Sequence, residues 1–172
     1  MKVYVISDIH GSLKYLNDFM NIYDKESKLI ILGDILYHGP RNDLPLEYNP
    51  KGCINVLNSF KDNILWIKGN CDAEVDEMVL DFKCNENYSL SLNGYNFYLH
   101  HGHKEINNFY VDVVLSGHTH VNVLKKENDI IYGNPGSLSI PKEGSGNSFM
   151  IINDDKITIY NLNEEILYEM KI

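Results

Sequence analysis

The feature that most constrains the fold is a short apolar run with polar residues shortly behind it, repeated along the chain. Val3–Ile6, Leu29–Leu32 and Ile64–Ile67 are too short for helices and are typical of buried strands. Each run is followed within a few residues by carboxylate, amide or imidazole side chains. Because such side chains collect at the rim of a sheet, the pattern predicts an α/β fold with its chemistry at the strand ends.

Helices are predicted between these strands. Ser12 is a suitable N-cap, and apolar residues recur at helical spacing over Leu13–Tyr23. Asn49-Pro50 places an N-cap before a proline at the first helical position, and Leu57 belongs to the apolar face that follows. A third, short helix is predicted over Asp72–Leu80. Strands that alternate with helices predict parallel pairing through right-handed crossovers.

The hydrophobic period changes in the second half of the chain. Tyr88–Leu92 alternates between polar and apolar residues, Asn93-Gly94 is a strong hairpin turn, and Tyr95–Leu99 returns. The polar segment Lys104–Tyr110 has no clear pattern. With no linker or repeat, we predict one α/β domain over residues 1–172. Its remaining strands are predicted at 112–115, 121–125, 130–132, 149–152, 157–160 and 166–170.

Composition limits the class of function. No apolar run approaches the roughly 20 residues of a membrane helix. The net charge of −9 argues against a nucleic-acid polymer as substrate, because a nucleic-acid groove needs a basic stripe. Cys53, Cys71 and Cys84 leave one cysteine unpaired under any disulfide scheme, so we expect a cytoplasmic protein.

The polar residues behind the strands are of metal-ligand types. Asp8 and His10 are two positions apart, as are His118 and His120, so an extended chain points both members of each pair to one side. Oxygen and nitrogen donors without thiolate suit divalent Mn, Fe, Zn, Ni or Co. Seven candidates are too many for one ion and about right for two: Asp8, His10, Asp34, Asn70, His101 (or its neighbour His100), His118 and His120.

Each fragment alone also has an ordinary structural explanation. Asp8 could be a capping residue, and Gly33-Asp34 and Gly69-Asn70 could be simple turns. Asp72 could be a helix N-cap. One member of the His100-His101 pair should be a packed or surface histidine, since neighbours on a strand point to opposite sides. The order of the fragments, each behind a buried strand, favours the metal site.

The complete set of motifs resembles the calcineurin-like metallophosphoesterase superfamily, and within it the YfcE-type bacterial phosphodiesterases. The resemblance rests on segments 7–12, 38–42, 69–72 and 134–137 and on Gly117-His118-Thr119-His120, and it spans essentially the whole chain. It is weakest over Lys104–Tyr110. The resemblance implies a four-layer αββα sandwich of two mixed β-sheets with a two-metal site at the strand ends.

The resemblance also assigns the ligands. One metal would be held by Asp8, His10, Asp34 and His120, and the other by Asp34, Asn70, His101 and His118. Mn²⁺ is the ion that the resemblance favours, with Ni²⁺, Zn²⁺, Fe²⁺ and Co²⁺ as alternatives. The implied reaction is hydrolysis of a small phosphodiester by a hydroxide that bridges the two metals.

Five residues are expected around the reacting phosphate: Asn70, Cys71, Asp72, Arg41 and His38. Arg41 and His38 lie in a loop long enough to reach substrate, and an arginine fork suits phosphate oxygens. Cys71 stands where most of the superfamily has a histidine. A thiol carries no positive charge at neutral pH. Hydrolysis of a phosphomonoester, which is a dianion, should therefore be slowed more by this replacement than hydrolysis of a diester, which carries one charge. The alternative is that Cys71 is only a small packed residue.

Two other functions stay open on the sequence. A metal-free protein-binding scaffold of the same fold, like the related retromer subunit, would be expected to lack ligands, and here all seven are present. A phosphomonoesterase would keep the ligands but is disfavoured by Cys71. The tyrosine-rich C-terminal hairpins could join copies into a homo-oligomer or simply cover a sheet.

Overall fold

A computed structural model describes residues 1–105 and 110–172 of the chain. The predicted N-caps are confirmed, since Ser12 Oγ accepts from the Tyr15 N–H and Asn49 Oδ1 from the Gly52 N–H. The elements are β1 (Lys2–Ile6), α1 (Leu13–Ile22), β2 (Lys28–Ile31), α2 (Pro50–Asn58), β3 (Ile64–Ile67), β4 (Cys84–Asn85), β5 (Tyr88–Leu92), β6 (Tyr95–Leu99), β7 (Val113–Leu115), β8 (Asn122–Glu127), β9 (Ile130–Pro135), β10 (Ser148–Asn153), β11 (Lys156–Asn161) and β12 (Ile166–Lys171), with short 3₁₀ turns at Lys61–Asn63 and Asp76–Met78.

Two mixed β-sheets lie face to face, as expected. The larger sheet has the order β12-β11-β10-β1-β2-β3-β4, and the smaller has the order β5-β6-β7-β9-β8. Strands β1 to β4 are parallel, as the strand–helix alternation predicted, whereas β10 to β12 pair antiparallel beside them. Both α-helices pack on the outer face of the larger sheet, and among the described residues no α-helix covers the smaller one.

The layers explain why the first strands are apolar at every position. Val3 and Val5 of β1 point into the core between the two sheets, together with Ile30 of β2. Tyr4 and Ile6 point to the other side, into the core beneath α1 and α2. A strand buried on both faces cannot alternate between polar and apolar residues.

The predicted helix over Asp72–Leu80 is wrong. The structure has only the 3₁₀ turn Asp76–Met78 in this segment. The carboxylate of Asp76 accepts a hydrogen bond from the Ala73 N–H (2.8 Å), which closes a local turn, and Asp72 is used by other segments. Strand β4 was not predicted, because two residues paired with β3 leave no periodic signal.

The segment Lys104–Tyr110, for which no structure was predicted, falls largely on residues 106–109, outside those described. Elsewhere in the chain no helix has the length and apolar character needed to cross a membrane. Strand β12 is an edge strand whose Ile166, Leu167 and Tyr168 are exposed. Association of copies through this edge stays a prediction.

Candidate metal centre and active site

The structure brings the predicted ligands together at one edge of the sandwich, where the loops after β1, β2, β3, β6 and β7 meet. Backbone hydrogen bonds join these loops. The Asp8 N–H donates to the Gly33 carbonyl (3.0 Å), and the His10 N–H donates to the Asp34 carbonyl (2.9 Å). These bonds fix the main chain from which the carboxylates and imidazoles project.

The two-residue spacing works differently from the prediction. The chain is not extended at these positions: Asp8, His10, Asp34, His118 and His120 all have positive φ, between 48° and 67°. Left-handed backbone costs energy in residues with a Cβ, and such strain tends to collect at functional sites. Tight turns, not an extended strand, therefore aim these side chains at a common centre.

A first donor group consists of Asp8, His10 and His120, whose ligand atoms lie within 4.8 Å of one another. The Nδ1 of His10 lies 2.7 Å from the Tyr37 carbonyl, and that of His120 lies 2.7 Å from the Ile140 carbonyl. A carbonyl only accepts, so each ring carries its proton on Nδ1 and presents a lone pair on Nε2. The two Nε2 atoms are 3.2 Å apart and face each other.

The same group leaves a buried carboxylate oxygen without a donor. Asp8 Oδ1 lies 3.2 Å from His120 Nε2, yet among the described residues it has no hydrogen-bond partner. With neutral rings, two nitrogen lone pairs converge on the buried anionic oxygen, and no proton donor lies between them. This arrangement is unfavourable by itself. A cation between them satisfies all three.

A second donor group consists of Asp34, His101 and His118, again within 4.8 Å. His101 Nδ1 lies 2.5 Å from the Leu32 carbonyl, and its Nε2 faces Asn70 Oδ1 at 3.1 Å. Asp34 Oδ2 lies 3.5 Å from this Nε2 and 3.7 Å from the Nε2 of His10. Asp34 is thus placed between the two groups, where one carboxylate can serve both.

The pKa values show that the carboxylates and imidazoles of this centre interact strongly. Burial alone would raise the pKa of Asp8, but its contacts with His10 and His120 outweigh burial and hold that pKa well below its usual range. Burial alone would lower the pKa of His101, but the adjoining Asp34 carboxylate raises it to about 9. Both shifts reflect carboxylates and imidazoles that face one another at short distance. The donors present therefore fit divalent cations bound through oxygen and nitrogen.

Asp72 lies behind this centre and does not face it. Its carboxylate is buried and accepts hydrogen bonds from the N–H groups of Asp34 (2.9 Å), Ile35 (2.8 Å) and Gly69 (2.7 Å) and from the Trp66 indole (3.2 Å). The expected place of Asp72 at the reacting phosphate has no support in this position, and no helix begins at Asp72. Its hydrogen bonds position the loops that carry Asp34 and Asn70.

A small cavity of about 50 Å³ opens above the donor groups. Arg41 lines it, as predicted, and so does Cys71. Burial and the nearby Asp34 carboxylate raise the pKa of the Cys71 thiol to about 12, so the thiol is neutral at neutral pH. Its Sγ also lies within 4.8 Å of the ligand atoms of His10 and Asp34, a contact that the sequence did not suggest.

His38 is not among the residues that line this cavity. Its ring packs between Tyr37 and Tyr48, with ring centroids 4.8 and 5.3 Å away. The expected contact of His38 with substrate has no support in this position. In the other histidine pair the structure separates the roles as predicted: His101 is buried at the centre, whereas half-buried His100 stacks near Tyr98.

The residues whose side chains bind the main chain of these loops were not predicted from the sequence. Ser137 Oγ donates to the Asp8 carbonyl (2.7 Å), and Asn134 Nδ2 donates to the Gly117 carbonyl (2.7 Å). Both belong to the segment 134–137, which was noticed only as a resemblance. Lys142, which lines the cavity, was also missed, because no sequence pattern marks it.

Two facing mixed sheets with clustered carboxylates and imidazoles at one edge are typical of the calcineurin-like phosphoesterases. The chain belongs to the calcineurin-like phosphoesterase superfamily, whose domain matches residues 1–156. It is 36% identical to phosphodiesterase YfcE of Escherichia coli K12 over 175 residues, covering 96% of this chain and 94% of that protein. The solved structure of E. coli YfcE, described as a phosphoesterase, superimposes with a TM-score of 0.95 at 35% identity over the whole of both chains.

These similarities confirm the predicted family, the fold and a phosphoesterase activity. Vacuolar protein sorting 29 from Cryptosporidium parvum also shares the fold, with a TM-score of 0.66 over 99% of this chain and 98% of that one. At 17% identity this likeness concerns the fold alone. The phosphoesterase activity therefore rests on the family match and on the similarity to YfcE, not on the fold alone.

Proposed function

We propose that the chain hydrolyses small phosphodiesters with two divalent cations held at this edge. The observation that carries the proposal is the pair of donor groups with the Asp34 carboxylate placed between them. Asp8, His10, Asp34 and His120 would hold one cation; Asp34, Asn70, His101 and His118 would hold the other. Mn²⁺ is our first choice, with Ni²⁺, Zn²⁺, Fe²⁺ and Co²⁺ as alternatives. When bound, such cations acidify a water and offset the charge of the phosphate.

The chain's own residues set up the reaction. The backbone carbonyls of Tyr37, Leu32 and Ile140 keep three imidazoles in the tautomer that leaves Nε2 free. Arg41 lines the cavity and supplies a planar fork of donors for phosphate oxygens. These groups position and neutralise the phosphate while the cavity's small volume leaves the rest of the substrate on the surface.

The similarity to phosphodiesterase YfcE supports the diester specificity, and the neutral Cys71 thiol gives it a physical reason. With Mn²⁺ present, bis(p-nitrophenyl) phosphate should be turned over at least about tenfold faster than p-nitrophenyl phosphate. The measurement is p-nitrophenol release at equal substrate concentrations. Faster turnover of the monoester would overturn the proposed specificity.

Cys71→His should change this ratio. An imidazolium beside the cavity adds positive charge and a strong donor, so turnover of p-nitrophenyl phosphate should rise about tenfold relative to the wild type. The matched control is Cys71→Ala, which removes the thiol without adding a charge and should not raise monoester turnover. If the two variants behave alike, the thiol is only a packed residue.

The cytoplasmic location belongs to the same proposal. It is supported by the three cysteines, all of which are free thiols.

A further inference from the structure

The cavity above the donor groups has a second cation that the proposed reaction does not use. Lys142 lines the same cavity as Arg41, from a different loop. Arg41 lies between β2 and α2, and Lys142 lies between β9 and β10. Two basic residues from separate loops therefore line the space in which a phosphate would sit.

The loop that carries Lys142 is tied to the donor groups. The Lys142 N–H donates to the His120 carbonyl (3.1 Å), and His120 Nδ1 bonds in return to the Ile140 carbonyl (2.7 Å). Ser137 Oγ accepts from the Ile140 N–H (2.8 Å) and donates to the Asp8 carbonyl (2.7 Å). The main chain of Lys142 is thus held in register with two of the ligands.

Lys142 is also without an acidic partner in the part of the chain that the structure describes. Exposed lysines elsewhere, such as Lys125 and Lys156, reach Glu127 and Glu169 at 2.9 and 3.2 Å. A chain with nine more acidic than basic residues has many carboxylates to offer, yet none pairs with this ammonium. A free cation held at the mouth of a site for anions is available to a ligand.

Charge balance indicates what that ligand is. The cations at the donor groups are enough to neutralise a singly charged diester, and Arg41 can bind its free oxygens. Lys142 adds a further positive charge at the rim. We propose that Lys142 binds a second anionic group of the substrate, so that the preferred substrates are phosphodiesters with an additional phosphate or carboxylate on the alcohol part. This inference rests on the proposed function.

The test compares three esters with the Mn²⁺-loaded full chain: thymidine 5′-(p-nitrophenyl phosphate), its 3′-phosphate and its 3′-O-carboxymethyl ether. The wild type should show a kcat/KM about tenfold higher for the two esters with a second anion, mainly through KM. Lys142→Gln should remove most of this preference, and Lys142→Arg should keep it. A preference for the phosphate derivative alone would show that Lys142 recognises a phosphate. A preference for both derivatives would show that it accepts any anion.

The matched control is Lys126→Gln, an exposed lysine of β8 outside the cavity, which should leave the preference intact. The inference is wrong if the wild type has no preference, or if Lys142→Gln lowers all three values alike. Calorimetry with thymidine 3′,5′-bisphosphate and thymidine 5′-monophosphate separates the two proposals. If no ester is hydrolysed, the proposed function fails, while tighter Lys142-dependent binding of the bisphosphate still supports the anion site.

Discussion

Asp34→Asn should lower kcat/KM for bis(p-nitrophenyl) phosphate by about a thousandfold or more, equivalent to at least ~4 kcal/mol of lost transition-state stabilisation. Asp34 is the carboxylate that lies between the two donor groups: its Oδ2 lies 3.5 Å from His101 Nε2 and 3.7 Å from His10 Nε2. The amide keeps the shape and can still accept from the Cys71 N–H, a 2.8 Å bond in the native chain. It removes the negative charge that two cations would share.

Metal content gives a second, independent measurement for this variant. After dialysis against Mn²⁺, the wild type should retain two ions per chain, and Asp34→Asn should retain one or fewer. Because a bound ligand stabilises the folded state, Mn²⁺ should also raise the melting temperature of the wild type more than that of the variant. Both measurements are made on the intact chain and do not depend on the choice of substrate.

Asp129→Asn is the matched control for charge removal. Asp129 is an exposed residue of the β8–β9 turn with φ of 65°, a conformation that asparagine tolerates well. Activity and metal content should be unchanged in this variant. If Asp34→Asn also keeps both, Asp34 is not the shared carboxylate and the proposed two-metal site is wrong. A wild type with neither activity nor bound Mn²⁺ would instead indicate a scaffold with the phosphoesterase fold.

The candidate ligands could be brought together from the sequence because each of them follows a strand with a clear apolar run. Asp8 after β1 and Asp34 after β2 need no tertiary information beyond the parallel pairing of the two strands. The resemblance supplied the choice of His101 over His100. The strand order of the smaller sheet was not predicted, because the pairing of β7 with β9 depends on contacts between distant segments.

What the sequence could not predict depends on contacts made by loops. The left-handed turns at His118 and His120 depend on bonds to other segments, such as the His118 N–H to Asp8 Oδ2 (3.0 Å). Asp72 was misassigned because its partners Asp34 and Ile35 lie 38 and 37 positions away. Lys142 reaches the cavity only because its loop is bonded to His120, which no local pattern reveals.

Gly69→Ala should also lower diesterase activity by at least about a hundredfold, although it changes no ligand. A Cβ at Gly69 would lie 2.1 Å from Asp34 Oδ1 and 2.5 Å from the Asp34 backbone nitrogen. Neither atom can move freely, since the oxygen accepts from the Cys71 N–H and the nitrogen donates to Asp72. The added methyl group must therefore displace Asp34 from its place between the donor groups.

Gly146→Ala is the matched control, because a Cβ at that position meets no atom within 4 Å. It should leave activity and Mn²⁺ binding unchanged. Gly69→Ala should bind less Mn²⁺ than the wild type even where circular dichroism shows a folded chain, because the damage lies at Asp34. If the folded variant retains full Mn²⁺ binding and activity, then Asp34 does not need its observed position, and the shared carboxylate cannot be the basis of the metal centre.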